Sequence, residues 1–339
     1  MSGESEPTMK VTVVGGGAFG TSLATIAARR GHNVVMLVRD LSTVESVNSE
    51  HKNNKYFSDF KLPPNLTATA DNAEGLSGAG LIILALPAQV ICQFLTDNKE
   101  HIDEKTLLCN SAKGLYLKEN CLLSEMIPKA LGRDQPYSVL SGPSFAKEMM
   151  LNRPTAVVVA STYLYHAVTV QRALSSSAFK VFTSQDLLGV QLGGALKNPL
   201  AIGAGIIEGL DLGINTMAFF ITRSSIELMQ LCKAMGGDPS TISGLSGIGD
   251  LMLTCFGDLS RNRTCGMRLA KGESIEEITA STTVEGVFSA KVAVTYADAC
   301  DLKLPIFRTV AGILAGEMTL AEAESHLMGL PLTKERVVK

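Results

Sequence analysis

Lys197 is the single charged residue between Leu187 and Ile207, inside the run GGALKNPLAIGAG. An ammonium in such surroundings has three readings: a membrane span that tolerates a charge, a core helix whose lysine reaches out to solvent, or a desolvated lysine that moves a proton. A span would hold Lys197 near the bilayer centre at a cost of about 2.5–3.5 kcal/mol. It would also be interrupted by Gly203, Gly205 and the Asn198-Pro199 pair, and no second span follows to bury the charge. The stretch therefore reads as a buried helix of a globular chain, without an integral membrane segment.

Other residues nearby in sequence carry complementary chemistry. In GIGDLMLTC, Asp250 and Thr254 are four apart and share a helical face if that segment is helical. LSRNRTCG follows, with Ser260, Arg261, Asn262 and Arg263 in a row. Arginine and asparagine at a helix start can bind phosphate through charge-assisted hydrogen bonds, although such a run alone could equally be a solvated loop. Earlier in the chain, NSAKGL places Lys113 just after a strand, and SGPSFAKE does the same for Gly142 and Ser144. Open parallel sheets bind ligands at that end of their strands.

Gly15, Gly17 and Gly20 form GxGxxG directly after the run KVTVV, before a helical segment and a second strand ending near Val38. The motif alone is weak. In this strand–turn–helix–strand setting it predicts a dinucleotide site, with the pyrophosphate at the helix N-terminus. The residues after the second strand are Arg39 and Asp40. Arg39 could meet the 2′-phosphate of NADP or lie on adenine, and Asp40 could bind a ribose hydroxyl or merely cap the next helix. The spacing leaves NAD and NADP both open.

The elements that must position these groups follow from the apolar pattern. Seven β-rich runs (KVTVVG, NVVMLV, LIILAL, TLLCN, YSVLSG, TAVVVA and KVF) alternate with amphipathic stretches up to about Gln185. This predicts an α/β fold, with an N-terminal Rossmann-type, mostly parallel sheet domain over residues 9–188. The segment YFSDFKLPPNLTAT is expected to be a loop or small hairpin over the sheet. Beyond Gln185 only helical patterns remain, giving an all-α C-terminal domain over residues 189–339. In its segment TVEGVFSAKVAVTYADACD, the residues Val284, Val287, Phe288, Ala290 and Val294 are expected to form the apolar face.

At 339 residues the chain exceeds what one core usually supports. Its net charge of −3 comes with no basic patch, which argues against nucleic acid as a partner. Seven cysteines with no CxxC pair point to free thiols in a reducing compartment. The five histidines are scattered singly and suggest no zinc site. Neither MSGESEPTMK nor ERVVK reads as a targeting signal, so a cytoplasmic location is expected.

Taken in order, GGGAFGTSLA, SAKGL, SGPSFAKE, GALKNPLAIGAGIIEGLDLGINTMAFFITR, GIGDLMLTC, SRNR and TVEG resemble the NAD(P)-dependent glycerol-3-phosphate dehydrogenase family over essentially the whole chain. The resemblance implies reversible hydride transfer between a nicotinamide, NAD or NADP, and carbon 2 of dihydroxyacetone phosphate, giving sn-glycerol 3-phosphate. It implies that Lys197 exchanges a proton with the substrate oxygen, that Lys113 contacts substrate and cofactor, and that Asp250 completes the catalytic group. Gly142, Ser144, Asn198, Thr254, Ser260, Arg261 and Asn262 are implied substrate positions, alongside Lys113 and Asp250. Gly15, Gly17, Ala18, Phe19, Gly20, Arg39, Ala146, Thr283 and Glu285 are implied cofactor positions, together with Lys113 and Arg261. Two residues depart from the family pattern: Pro199, where a β-branched residue is usual, and Thr283, where valine is usual. Pro199 removes an N–H from the helix beside Lys197 and is expected to bend it. A homodimer is also expected. Within enzymes, the competing reading is a β-hydroxyacid dehydrogenase or ketopantoate reductase, whose carboxylate substrates would not need the SRNR run. A cofactor-sensing binding protein would lack the proton donor that Lys197 supplies.

Overall fold

The computed structural model describes residues 8–331. The chain divides into two compact units: one contains the chain up to Tyr116 and Cys121–Leu187, the other Leu117–Asn120 and the chain from Leu188 onward.

The first unit is built on strands β1 (Lys10–Val14), β2 (Asn33–Leu37), β3 (Leu66–Thr69), β4 (Leu81–Leu84) and β5 (Leu107–Asn110). A short hairpin, β6 (Leu115–Tyr116) with β7 (Cys121–Leu122), precedes β8 (Tyr137–Ser141), β9 (Thr155–Ala160) and β10 (Phe179–Ser184). Eight of these form one sheet in the order β10-β9-β8-β5-β4-β1-β2-β3. Every neighbouring pair is parallel except β8 with β9. The order reverses between β1 and β4, and in doubly wound sheets that crevice takes the ligand.

Alternation along each strand sends side chains to opposite faces. Val11, Val13, Leu81 and Ile83 join one core, while Val14, Ile82 and Leu84 join the other. Both faces are covered, which is why β4 (LIIL) is buried at every position and reads as an unbroken apolar run. Thr12 is the buried polar residue of β1, and its hydroxyl donates to the Gly75 carbonyl at 2.6 Å. The covering helices are α1 (Ala18–Arg29), α2 (Leu41–Glu50), α3 (Asn72–Leu76), α4 (Ala88–Asn98), α5 (Leu123–Leu131), α6 (Ala146–Met150) and α7 (Leu164–Leu174).

One expectation fails here. The excursion YFSDFKLPPNLTAT is not only a loop: its last residues form β3, which pairs parallel with β2 from Val34↔Leu66 to Leu37↔Thr69. Pro63 and Pro64 break the pattern just before it, and LTAT holds a single large apolar residue. The strand is secured instead by Asn48 of α2. Its side-chain amide donates to the Ala68 carbonyl and accepts from the Ala68 N–H, both at 2.8 Å, and so occupies the open edge as a neighbouring strand would.

The second unit is helical. It consists of α8 (Leu187–Gly209), α9 (Gly213–Ala234), α10 (Pro239–Ile242), a π-helical turn over Leu245–Gly249, α11 (Asp250–Phe256) and α12 (Arg261–Ala270). The chain continues through α13 (Ile275–Ser281), α14 (Glu285–Ala299), α15 (Pro305–Leu314) and α16 (Leu320–Met328). Helix α8 is buried at every position from Gly189 to Ile207, which explains why Lys197 is the single charge over that span. It is also notched. A Cβ at Gly205 would lie 2.0 Å from the Arg263 carbonyl oxygen, and one at Gly266 2.0 Å from the Ile202 oxygen, so α8 and α12 cross backbone against backbone. Helix α8 runs unbroken through Pro199. No helix among the described residues is long and apolar enough to cross a membrane.

Helix α14 corrects part of the other expectation: Val284 and Ala290 are buried as expected, but Val287 and Val294 are only partly buried and Phe288 lies outside the buried face. Its buried face is Gly286, Ser289, Ala290, Val292, Ala293 and Ala297, while Phe288 is 52% exposed. Small residues won the inner face because α14 lies directly on α8: a Cβ at Gly286 would come within 2.7 Å of the Asn198 oxygen. Bulk, not hydropathy, set the phase.

Candidate active site

In the first unit, the glycine-rich turn leads from β1 into α1. Gly15 has φ +119°, and a Cβ there would lie 2.4 Å from the Ala85 oxygen, while one at Gly20 would lie 2.1 Å from the Gly15 oxygen. Both positions exclude any side chain. Gly17, in contrast, faces open space: a Cβ there meets nothing within 4 Å. It is the N-cap of α1 and supplies no side-chain cap, and α1 has no acidic residue in its first turn. The N-terminal N–H groups of α1 are therefore left for an external anion, and the turn fits a dinucleotide pyrophosphate. When bound, the nicotinamide of such a cofactor gives or takes a hydride.

At the end of β2, Arg39 is exposed. Asp40 is committed to α2: its carboxylate accepts from the Ser42 N–H at 3.2 Å, the Ser42 hydroxyl at 2.8 Å and the Thr43 hydroxyl at 3.0 Å. The Ser42 and Thr43 hydroxyls hold its carboxyl below the ordinary carboxylate range. Lys55 adds a looser ion pair at 3.8 Å.

Lys113 gathers the loops after β5 and β8. Its Nζ donates to the Gly142 carbonyl at 2.7 Å and lies 3.5 Å from the Ser144 hydroxyl, which itself donates to Gly142 at 2.9 Å. The same ammonium lies 6.0 Å from the centroid of the Phe19 ring. Ala146 opens α6, and its carbonyl accepts from Ser22 of α1 at 2.9 Å, as does the Ala18 carbonyl.

In the second unit, Lys197 does not reach solvent. It is 6% exposed, with Nζ 2.8 Å from Asp250 Oδ1 and 2.7 Å from Thr254 Oγ1. The Thr254 hydroxyl donates its own hydrogen to the Asp250 carbonyl at 2.6 Å, so its oxygen faces the lysine as an acceptor. Asp250 is fully buried. Helix α11 puts both partners on one face, as the four-residue spacing predicts. The π turn before it sits against a notch in α8, where a Cβ at Gly193 would lie 2.5 Å from the Ser246 oxygen. Burial pushes the neighbouring Cys255 thiol up to about 12, which keeps it protonated and chemically quiet.

At the next residue of α8, Asn198 Oδ1 accepts from Asn262 Nδ2 at 3.0 Å, and its Nδ2 donates to Glu285 Oε2 at 3.3 Å. Asn262 Oδ1 in turn accepts from the Gly286 N–H at 2.9 Å. The orientation of Asn262 is thereby fixed, leaving one N–H of its amide uncommitted. Ser260 N-caps α12, with its hydroxyl accepting from the Arg263 N–H at 3.2 Å.

The two arginines of SRNR have opposite fates. Arg261 is exposed and forms no ion pair among the described residues. Arg263 is 9% exposed, with Nε 2.7 Å from Glu208 Oε2, Nη2 paired to Glu208 Oε1, and Nη1 3.2 Å from Asp258. It anchors the loop and is not available to a phosphate. Nothing local in the sequence links Glu208 to Arg263, and the pair is visible only in the fold. Thr283 is exposed just before α14. Arg39, Arg261 and Thr283 are thus the expected site residues that the structure leaves outside these bonded groups.

A dehydrogenase served by a nicotinamide dinucleotide is the class that this sheet, its turn and the buried lysine pair define. Two family models agree: the N-terminal part of NAD-dependent glycerol-3-phosphate dehydrogenase matches residues 10–167, and the C-terminal part matches residues 186–325. The chain belongs to the NAD-dependent glycerol-3-phosphate dehydrogenase family. It is 45% identical to the chloroplastic NAD(+) glycerol-3-phosphate dehydrogenase 2 of Arabidopsis thaliana, over 97% of this chain and 80% of that one. It is 38% identical to the NAD(P)+ enzyme of Oleidesulfovibrio alaskensis, over 96% of this chain and 100% of that one. Among solved structures, the glycerol-3-phosphate dehydrogenase of Coxiella burnetii matches with a TM-score of 0.86 at 33% identity, covering 95% of this chain and 98% of that one. The chain is an oxidoreductase of this type and uses NAD or NADP.

Proposed function

We propose that the enzyme interconverts dihydroxyacetone phosphate and sn-glycerol 3-phosphate with Lys197 as the proton donor and acceptor. The observation that carries this is the buried ammonium held by Asp250 at 2.8 Å and Thr254 at 2.7 Å. Two of its three hydrogens are spoken for, and the third is left for a substrate oxygen. As carbon 2 gains a hydride its oxygen becomes basic. A fixed cation beside it stabilises that charge and delivers the proton without waiting for solvent. In the reverse direction Lys197 withdraws the hydroxyl proton, with Asp250 keeping the ammonium that results. Asn198 holds Asn262 with an N–H free for the substrate phosphate, Ser260 caps the same helix start, and Arg261 adds charge. Lys113, with Gly142 and Ser144, contacts substrate and cofactor. Gly15, Gly17, Ala18, Phe19 and Gly20 receive the cofactor pyrophosphate, with Arg39, Ala146, Thr283 and Glu285 as further cofactor contacts. The reading also takes the enzyme to be a homodimer in the cytoplasm, where its seven free thiols would stay reduced.

The test is oxidation of NADH or NADPH with dihydroxyacetone phosphate, compared with unphosphorylated dihydroxyacetone. Turnover confined to the phosphorylated ketone is expected. Equal rates with both ketones, or none with either, would sink the assignment. Arg261→Ala should raise the KM for dihydroxyacetone phosphate by roughly 10- to 100-fold, the worth of a charge-assisted hydrogen bond, and remove most of the preference over dihydroxyacetone. Its Tm should not move, because the side chain is exposed. If the preference survives intact, the phosphate is bound elsewhere.

Cofactor choice is assigned to Arg39. Asp40 is engaged as an N-cap, so the nearest carboxylate is poorly placed to repel a 2′-phosphate, and a guanidinium stands beside it. Arg39→Ala should lower kcat/KM with NADPH by roughly tenfold or more and change NADH use little. An equal loss with both cofactors would mean that Arg39 only stacks on adenine.

A further inference from the structure

The loop after α2 holds a buried side chain that neither the sequence pattern nor the family resemblance singles out. Asn53 is 0% exposed. Its amide nitrogen donates twice, to the Gly16 carbonyl at 2.9 Å and to the Thr21 hydroxyl at 2.8 Å. The Gly16 oxygen can only accept, so the nitrogen and not the oxygen of the amide must face it. Asn53 Oδ1 is left buried with no hydrogen-bond partner. An orphaned buried acceptor destabilises a fold, and its retention needs a reason. The amide gives each of its two acceptors a hydrogen of its own, where a hydroxyl would have to share its single hydrogen between them.

We infer that Asn53 is the positioning residue of the glycine-rich turn, and that it aims the Gly17 N–H at the cofactor pyrophosphate. The inference rests on the reading of that turn as the dinucleotide site. A trans peptide carries its C=O and N–H on opposite edges. Holding the Gly16 oxygen against Asn53 therefore fixes the Gly17 N–H in the opposite direction. Gly17 is the residue of the turn with open space before it. The second bond, to Thr21 in the first turn of α1, ties the peptide to the helix, so that turn and helix N-terminus present their donors in a fixed relation. A turn rich in glycine loses more conformational entropy than any other on becoming ordered, and Asn53 sets its shape before the cofactor arrives.

The loop is built to hold Asn53 in place. The Phe57 N–H donates to the Asn53 carbonyl at 2.7 Å, closing a small bridge between the two residues. Phe57 is buried in the sheet's core and meets Phe60 edge-on, with ring centroids 5.5 Å apart. Leu62 is pinned as well, its N–H donating to the His51 carbonyl at 2.7 Å. The excursion that the sequence presents as a loop is a strut behind the cofactor turn.

The experiment measures Kd for NADH and NADPH by fluorescence titration of the full-length enzyme, with steady-state kinetics beside it, for Asn53→Asp, Asn53→Leu and Thr21→Val. Asn53→Asp keeps the shape but places an acceptor against the Gly16 oxygen, so Kd should rise by roughly tenfold or more for both cofactors alike. Asn53→Leu fills the space and removes both donors, and should weaken both cofactors by a similar factor. Thr21→Val removes one of the two acceptors and should cost a few-fold, which keeps the test open if the Asn53 variants fold poorly. In all three, kcat at saturating cofactor and the KM for dihydroxyacetone phosphate should stay near wild type. A merely structural asparagine would lower Tm and leave the cofactor Kd unchanged in the folded fraction, and that result overturns the proposal. Gly17→Asp serves as the control: if it too leaves Kd unchanged, the dinucleotide reading of the turn fails first, and the role of Asn53 fails with it.

Discussion

Replacing Lys197 by methionine is expected to lower kcat by about 10²–10⁴-fold, the usual contribution of a general acid. Removal of the fixed charge beside the developing alkoxide adds to that loss. Affinity for NADH should change little, because the glycine-rich turn belongs to the first unit with its own two-faced core. The variant also leaves Asp250 buried without its cation, and breaking such a pair costs about 3–5 kcal/mol. Tm should therefore fall, which could be mistaken for the cause of inactivity. The double variant Lys197→Met with Asp250→Asn separates the two effects, since it removes both buried charges. Thermal unfolding should recover toward wild type while turnover does not. A folded Lys197→Met enzyme with near-normal kcat would take the lysine out of the mechanism.

The second large effect is expected at Gly17, where substitution by aspartate should leave the fold intact and weaken cofactor binding by roughly 150-fold. A side chain at Gly17 meets nothing within 4 Å, and its φ of −71° suits any residue. Aspartate there would give α1 the side-chain cap that it now lacks, and should hold or slightly raise Tm. The same carboxylate would occupy the free N–H groups and repel a pyrophosphate. At about 5 Å and an effective dielectric near 20 the repulsion per charge pair is about 3 kcal/mol, or roughly 150-fold in Kd. Titration with NADH checks the binding and thermal unfolding checks the fold. Unchanged affinity in Gly17→Asp would show that the pyrophosphate does not lie at the start of α1.

These two positions differ in how openly the sequence displays them. Lys197 announces itself because charge is absent around it, and Gly17 because a strand and a helix flank its motif. Asp250 and Thr254 follow from a four-residue spacing that any helix would honour, and here Asp250 opens α11. Seven of the eight strands of the main sheet are legible from their β-rich runs, most plainly where burial on both faces demands an unbroken apolar stretch such as LIIL. Strand β3 is not legible, because a capped edge strand can be short and poor in large side chains. The face of α14 is only partly legible from sequence: Val284 and Ala290 are buried as expected, but contact with the α8 backbone at Gly286 requires a small residue there, not a greasy one.

What the sequence by itself determined is therefore whatever depends on neighbours a few residues apart: strand and helix periods, the glycine turn, the capped helix starts and the family's ordered motifs. What only the tertiary structure decided is which polar groups meet across long stretches of chain. SRNR offers two arginines of identical chemistry, and it is Glu208, 55 residues earlier, that draws Arg263 inward and leaves Arg261 exposed. Asn53 reaches the Gly16 carbonyl across 37 residues and looks, in sequence, like one polar loop residue among several. Hydrogen bonds and ion pairs of this kind are directional and short-ranged, so they depend on backbone paths that no local pattern encodes. Those paths are fixed by packing, above all where glycines let α12 and α14 press onto α8 and bring Asn262 and Glu285 to Asn198.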